Sequence, residues 1–386
     1  MISSLFLLHV GSNTGYAIAP LEVMFYNCGL QLACGDSSLI HFAYPDLQKG
    51  LPQNLPADFK NVIQFDFRDT NADNIGRLAK YAAEHQIRLV VAFDLQPVHP
   101  LNSALRQAGV AAVMAYWGAP ISSIVPFWKL ILKKMQIATT RSKVDSLVFE
   151  SQAMAYLATH GRGVSLPMID IVPLWIDIIK FKPAASSYVY DAFGFPQDRK
   201  VIFYSGHMER RKGVHVLIEA AIQLLTNRKR ADVCFLLTGN KGDESLQYEK
   251  MYTGLGIGQL IRFAGYRSDM PEIYQSSFCG VIPSSGWDSF PRTSLEMAAS
   301  GLPVVASRLQ GLVEAVVDGK TGLLFEPGNS GMLADLLEKL LENPQMAKEM
   351  GRQGRIRCEQ ELNLENQERR FLEVIKKRLL LKGIMA

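Results

Sequence analysis

The sequence predicts an α/β protein made of two doubly wound parallel sheets, each in its own domain. Three observations predict it. Short apolar runs recur along the chain: SLFLLHV, RLVVAFD, KVIFYSG, DVCFLLTG, FCGVIPS and LPVVAS. None alternates cleanly between polar and apolar residues, which is how strands covered on both faces read. Longer segments with helical spacing lie between them, such as Asn71–His85, Gly213–Leu225 and Thr293–Ser300, and that alternation is the mark of a doubly wound sheet. The chain of 386 residues exceeds one ordinary domain of about 150 residues.

The elements follow in order. The N-terminal MISSLFLLHVGSNTG has an apolar run but no Lys or Arg before it and no small-residue cleavage site. It is expected to be the first buried strand rather than a signal peptide. No stretch reaches the roughly 18 apolar residues of a spanning helix. Between Pro126 and Lys143 the chain reads PFWKLILKKMQIATTRSK, with Lys129, Lys133, Lys134, Arg141 and Lys143 and no acidic residue. Phe127, Trp128, Leu130, Ile131, Leu132 and Met135 supply apolar area. The segment reads either as a basic amphipathic helix in peripheral contact with an anionic membrane, or as an ordinary helix covering the first sheet. The run IVPLWIDIIKFKPAASS then breaks the rhythm and places a domain boundary near residue 180. Expected domains are therefore 1–180, 181–360 and a charged helical tail, 361–386, packing back on the first domain.

Composition narrows the class. With 48% hydrophobic and 20% charged residues the chain is globular, not disordered. A net charge of +4 is too weak to argue for nucleic acid. Five cysteines, Cys28, Cys34, Cys234, Cys279 and Cys358, are scattered without a CxxC pair. Neither a disulfide framework nor a zinc site fits, which points to a reducing, cytoplasmic compartment.

The richest segment is VIPSSGWDSFPRTSLEMAASGLPVVAS, Val281–Ser307. A strand ends at Pro283, a Ser/Gly turn follows, and a helix begins near Pro291–Thr293 and ends at Gly301. Asp288 and Glu296 lie eight positions apart. In a continuous helix they would stand about 12 Å apart along the axis, so two carboxylates could reach two ends of one extended ligand. Backbone N–H groups between them could hold a diphosphate. The plainer alternative is a capping Asp and a surface Glu.

This segment resembles glycosyltransferase family 4, retaining enzymes whose pattern is Glu-x7-Glu after Pro-Ser, followed by G-x-P-V-[VI]-A. The matching residues are Pro283, Ser284, Asp288, Phe290, Glu296, Gly301, Pro303, Val304, Val305 and Ala306; Asp288 replaces the first Glu. Further matches stand in family order. FYSGHMERRKGVHVLIEAA (Phe203–Ala221) resembles G-R-x4-K-G-x3-L-[IL]-x-A. IRFAGYRSDMPEIYQ resembles F-x-G-x-[VL]-x3-[LM]-x3-Y, and GLVEAVVDGKTGLLFEPGN resembles the following Gly-rich tail. LVFESQAM and IVPLWIDIIKFKP resemble V-S-E-A-M and V-I-P-N-G-V-D-x3-F-x-P. The likeness covers residues 144–330 and is strongest in the second half.

The resemblance implies a GT-B architecture, two Rossmann-like domains facing a central cleft. It also implies retaining transfer of a sugar from a nucleotide-diphosphate sugar to a hydroxyl acceptor, in polysaccharide, lipopolysaccharide or glycolipid assembly. Cofactors are expected to be none, with no metal, since Lys and a helix dipole can supply the positive field. Lys212, Asp288 and His207 are the implied catalytic residues, with His207 standing where the family has Arg. Glu296, Ser289, Phe290, Pro291, Arg292, Gly206 and Arg211 are the implied donor-binding residues, joined by Gly15 of the Gly-rich turn VGSNTGY. On the acceptor side the family's His is replaced by Trp117, and His99 is the nearest substitute. Domain closure is expected on binding. The departures at His207 and Trp117 keep open a non-catalytic partner subunit. A phosphorylase or a sugar-nucleotide epimerase would share the architecture. A nicotinamide enzyme is disfavoured because no G-x-G-x-x-G follows a strand.

Overall fold

The computed structural model describes residues 1–15, 18–240 and 245–384. The chain divides into two compact units, Met1–Pro173 with Glu365–Ala386, and Leu174–Leu364. Each is a doubly wound parallel sheet.

In the first unit the strands are β1 (Ser4–Leu7), β2 (Ile40–Tyr44), β3 (Val62–Gln64), β4 (Leu89–Phe93), β5 (Ala112–Trp117), β6 (Ser146–Phe149) and β7 (Ile169–Ile171). Among the described residues their order is β3-β2-β1-β4-β5-β6-β7, and every pair is parallel. The order reverses direction between β1 and β4, which is where doubly wound sheets bind ligands beyond the carboxyl ends of the strands. The helix read at Asn71–His85 runs Ala72–Glu84, and the Asn71 side chain accepts the Asp73 N–H as its N-cap.

The helix Leu364–Leu381 closes this unit. Phe371 packs on Phe25 and Tyr116. Arg378 is buried and grips the Asp170 carboxylate, which also accepts from the Ser146 hydroxyl at 2.8 Å. These bonds hold the Asp170 carboxyl below its usual value despite burial.

In the second unit the strands are β8 (Lys200–Ser205), β9 (Val233–Thr238), β10 (Ile261–Phe263), β11 (Cys279–Ile282), β12 (Val304–Ser307) and β13 (Gly322–Phe325). Their order, β10-β9-β8-β11-β12-β13, repeats the plan of the first sheet. Strand β8 shows why the run KVIFYSG carries no polar alternation. Ile202 and Tyr204 enter one core while Val201 and Phe203 enter the other, so both faces are buried.

The boundary lies at Pro173–Leu174 rather than near residue 180, because Ile176 and Phe181 already belong to the second unit's core. The chain returns to the first unit at Glu365. Cys28, Cys234, Cys279 and Cys358 are buried free thiols, and Cys34 is exposed.

Candidate functional site

The second unit gathers its polar residues where β8 and β11 end side by side. After β8 the chain makes a tight turn, with the Lys212 N–H donating to Glu209 O at 2.9 Å and the Gly213 N–H to Arg210 O at 3.0 Å. Gly213 has φ +71°, and a Cβ there would lie 1.8 Å from Pro283 O. Only glycine meets both demands. The loop after β11 is stitched to this turn: the N–H groups of Ser285 and Gly286 donate to Arg211 O at 2.8 and 3.0 Å. The two loops thus bring Lys212 Nζ to 2.9 Å from Asp288 Oδ2.

Asp288 is buried, and the fully buried Ser284 hydroxyl also donates to its Oδ2, at 2.7 Å. Asp288 is not on the helix. The helix runs Arg292–Ala299, so the carboxylate sits on the loop ahead of it. That loop is pinned from behind by Gly311, where a Cβ would fall 1.1 Å from Ser289 O. Glu296 lies inside the helix with its side chain buried, and the Tyr274 hydroxyl donates to its Oε2 at 2.7 Å. Tyr274 is the tyrosine that ends the segment IRFAGYRSDMPEIY; its spacing was legible, its hold on Glu296 was not.

The remaining predicted donor residues divide by what they offer. Among the described residues no carbonyl or side chain accepts the N–H groups of Ser289 and Phe290. The Phe290 ring itself is buried in the core. Pro291 carries no N–H and opens the helix. The Arg292 guanidinium donates to Trp175 O at 3.3 Å. Gly206 lies against the Tyr204 hydroxyl, 2.8 Å from where its Cβ would be, and its carbonyl lies 2.2 Å from the Cβ position of Gly239. Arg211 is exposed, ion-paired with Glu209 at 2.7 Å, and donates to Trp287 O at 3.0 Å. His207 is exposed with Nδ1 2.8 Å from Asn240 Oδ1. It makes no hydrogen bond to Lys212 or Asp288 among the described residues, so the structure does not join it to the ion pair.

In the first unit the sequence-derived acceptor residues turn out to be structural. Trp117 is buried, and its indole N–H donates to Leu95 O at 3.0 Å. His99 is the N-cap of the helix Pro100–Gln107, its Nδ1 accepting the Leu101 N–H at 3.2 Å. Burial lowers its pKa, consistent with that acceptor role. Gly15 sits in the loop after β1 with φ +80°; its neighbour Tyr16 is outside the described residues.

A different group occupies the strand ends of this unit, and sequence reasoning missed it. His9, Asp94, Gly118 and Glu150 follow β1, β4, β5 and β6. The His9 ring stacks on Phe93 at 4.9 Å between centroids, and its Nδ1 donates to Phe93 O at 3.1 Å. Asp94 Oδ2 lies 3.8 Å from the same nitrogen, and Oδ1 accepts the Gly118 N–H at 3.0 Å. Burial pushes the Asp94 carboxyl up to about 6, against the pull of Gly118 and His9. A Cβ on Gly118 would stand 3.6 Å from Glu150 Oε1. The available signal was positional: each polar residue directly ends an apolar run.

Among the described residues no group of His, Cys, Asp and Glu is arranged to hold a metal ion.

Residues 191–357 match the family model described as glycosyl transferases group 1. The D-inositol 3-phosphate glycosyltransferase of Corynebacterium urealyticum is 33% identical over 208 residues, 52% of this chain and 49% of that protein. The chain spans about half the length of the curated relatives it matches. A solved glycosyltransferase from Rickettsia africae superposes with TM-score 0.78 at 18% identity, covering 98% of this chain and 99% of its own. Anabaena Alr3699/HepE, solved in complex with UDP, gives 0.75 at 18% identity, covering 97% of this chain and 100% of its own. The chain therefore has the GT-B glycosyltransferase fold, and its residues 191–357 carry the sequence pattern of the group 1 glycosyl transferases.

Proposed function

We propose that this protein is a retaining glycosyltransferase that moves a sugar from a nucleotide-diphosphate sugar to a hydroxyl acceptor without needing a metal. The observation that carries the reading is the ion pair Lys212–Asp288, held at the joined ends of β8 and β11 beside the helix that presents Glu296. The Lys212 ammonium rests on Asp288. A diphosphate arriving at the unpaired Ser289 and Phe290 N–H groups offers Lys212 a second anionic partner. Both bonds to Asp288 fall on Oδ2, which leaves Oδ1 for a sugar hydroxyl. Glu296 accepts from the ribose hydroxyls while Tyr274 fixes its orientation.

As the donor bond breaks, negative charge grows on the departing diphosphate. Lys212 and the helix N-terminus stabilise it in a site that needs no rearrangement. The acceptor attacks from the face the diphosphate leaves, and a phosphate oxygen takes its proton. On the acceptor side we assign His9 and Asp94 rather than His99 and Trp117. The His9 Nδ1 is engaged by Phe93 O, so Nε2 is the nitrogen offered to an acceptor hydroxyl.

The test is sugar transfer from a panel of nucleotide sugars, with product anomer determined by NMR. Lys212→Ala is expected to lower transfer about 100-fold to 1,000-fold, and Glu296→Gln at least about tenfold. Lys212→Ala alone also leaves Asp288 buried without its cation, a loss of order 3 kcal/mol. Adding Asp288→Asn is expected to recover that stability and not the activity. Near-parental transfer in both single variants would overturn the roles, and an inverted product would overturn retention. No transfer or donor hydrolysis by the parent would favour a non-catalytic partner subunit.

A further inference from the structure

The helix Phe127–Thr139 is oriented opposite to an ordinary amphipathic surface helix. Of its residues only Ile137 is buried. Phe127 is 77% exposed, Trp128 60%, Leu132 59%, Met135 56% and Ile131 40%. At about 100° per residue these five side chains fall within one arc of about 140°. Leu130, Lys133 and Ile137 fall on the other side, towards the protein. Lys133 turns its stem inward and donates to Gly161 O at 2.7 Å.

The orientation is built into the neighbouring segment. A Cβ on Gly161 would meet Ser123 O at 2.2 Å, and one on Gly163 would meet Lys134 N at 2.8 Å. Gly163 thus admits the helix backbone at close range and Gly161 the segment that leads into it, and that approach fixes which stripe faces out. The helix does not cover the first sheet with its apolar stripe, as one reading of the sequence expected.

Charge identifies the occupant. From Gly118 to Val144 the chain carries Lys129, Lys133, Lys134, Arg141 and Lys143 and no Asp or Glu. Lys129 and Lys134 are exposed and flank the apolar stripe on its two sides. Lysines can keep their ammonium groups at headgroup level while Phe127, Trp128 and Leu132 enter the acyl boundary. Thirteen residues make a helix of about 20 Å, too short to span a bilayer. Among the described residues no helix is long and apolar enough to cross one.

We propose that the outward face of this helix docks the protein onto an anionic membrane surface, lying in the plane of the interface. The proposal stands independently of the transferase reading. It is tested by co-sedimenting the full chain with vesicles of phosphatidylcholine, with and without about one third phosphatidylglycerol. Binding to the anionic vesicles is expected to be at least about tenfold tighter and to weaken with salt. Trp128→Ser/Leu132→Ser is expected to lose binding, and Lys129→Glu/Lys134→Glu to lose the anionic preference. Both variants alter exposed side chains only, so unchanged melting temperatures separate lost docking from lost folding. No sedimentation of the parent, or equal binding by parent and variants, would overturn the proposal. So would a parental dimer that Trp128→Ser/Leu132→Ser splits without any vesicle binding, which would make a second copy the occupant.

Discussion

Asp94 couples the end of β4 to pH. Its carboxyl is pushed up to about 6 by burial, above the ordinary 3.8. A carboxyl whose folded pKa exceeds its unfolded one binds a proton more tightly when folded. Its favourable contribution is therefore complete below the unfolded value and is lost as pH climbs through about 6. Asp94→Asn keeps an oxygen for the Gly118 N–H and removes the charge. It is expected to melt higher than the parent at about pH 8, with the gap closing towards about pH 4. Parallel melting profiles across that range would contradict this account of Asp94.

Turns carry the site at the level of elements. Gly213 joins β8 to its helix at φ +71° with Pro283 O occupying the Cβ position. Gly213→Ala is expected to cost more than about 2 kcal/mol in a urea melt and to lower transfer by separating Lys212 from Asp288. An unchanged melt and unchanged transfer would contradict the stitched-loop description. The elements also show what was legible. Interior strands β1, β4, β8, β9, β11 and β12 announce themselves as apolar runs. Strands β3, β7 and β10 are three residues each, too short to form a run. Lys212 and Asp288 were both legible as site candidates, but their pairing spans 76 positions and arises because β8 and β11 are neighbours in the sheet. The helix start was legible as well: it was read near Pro291–Thr293, and the helix begins at Arg292 with Asp288 on the loop ahead of it. The amphipathic pattern of 127–139 was legible too. Which stripe faces inward was not, because Gly163, against the Lys134 backbone, decides it from another part of the chain.

Over the whole molecule, the chain crosses into its second unit after Pro173 and returns at Glu365. The donor-side residues Lys212, Asp288, Ser289, Phe290 and Glu296 all belong to the second unit. Nucleotide binding is therefore expected to be a property of that unit, while substitutions at His9 or Asp94 leave it intact. The most direct test is the melting temperature of the full chain against UDP, GDP, ADP, TDP, CMP and their common sugar conjugates. At about 100 times its Kd, a ligand of the folded state adds about 2.7 kcal/mol. The account predicts a clear upward shift with one nucleotide class, much reduced in Glu296→Gln and in Lys212→Ala/Asp288→Asn. No shift with any nucleotide, or a shift that both variants retain in full, would contradict it.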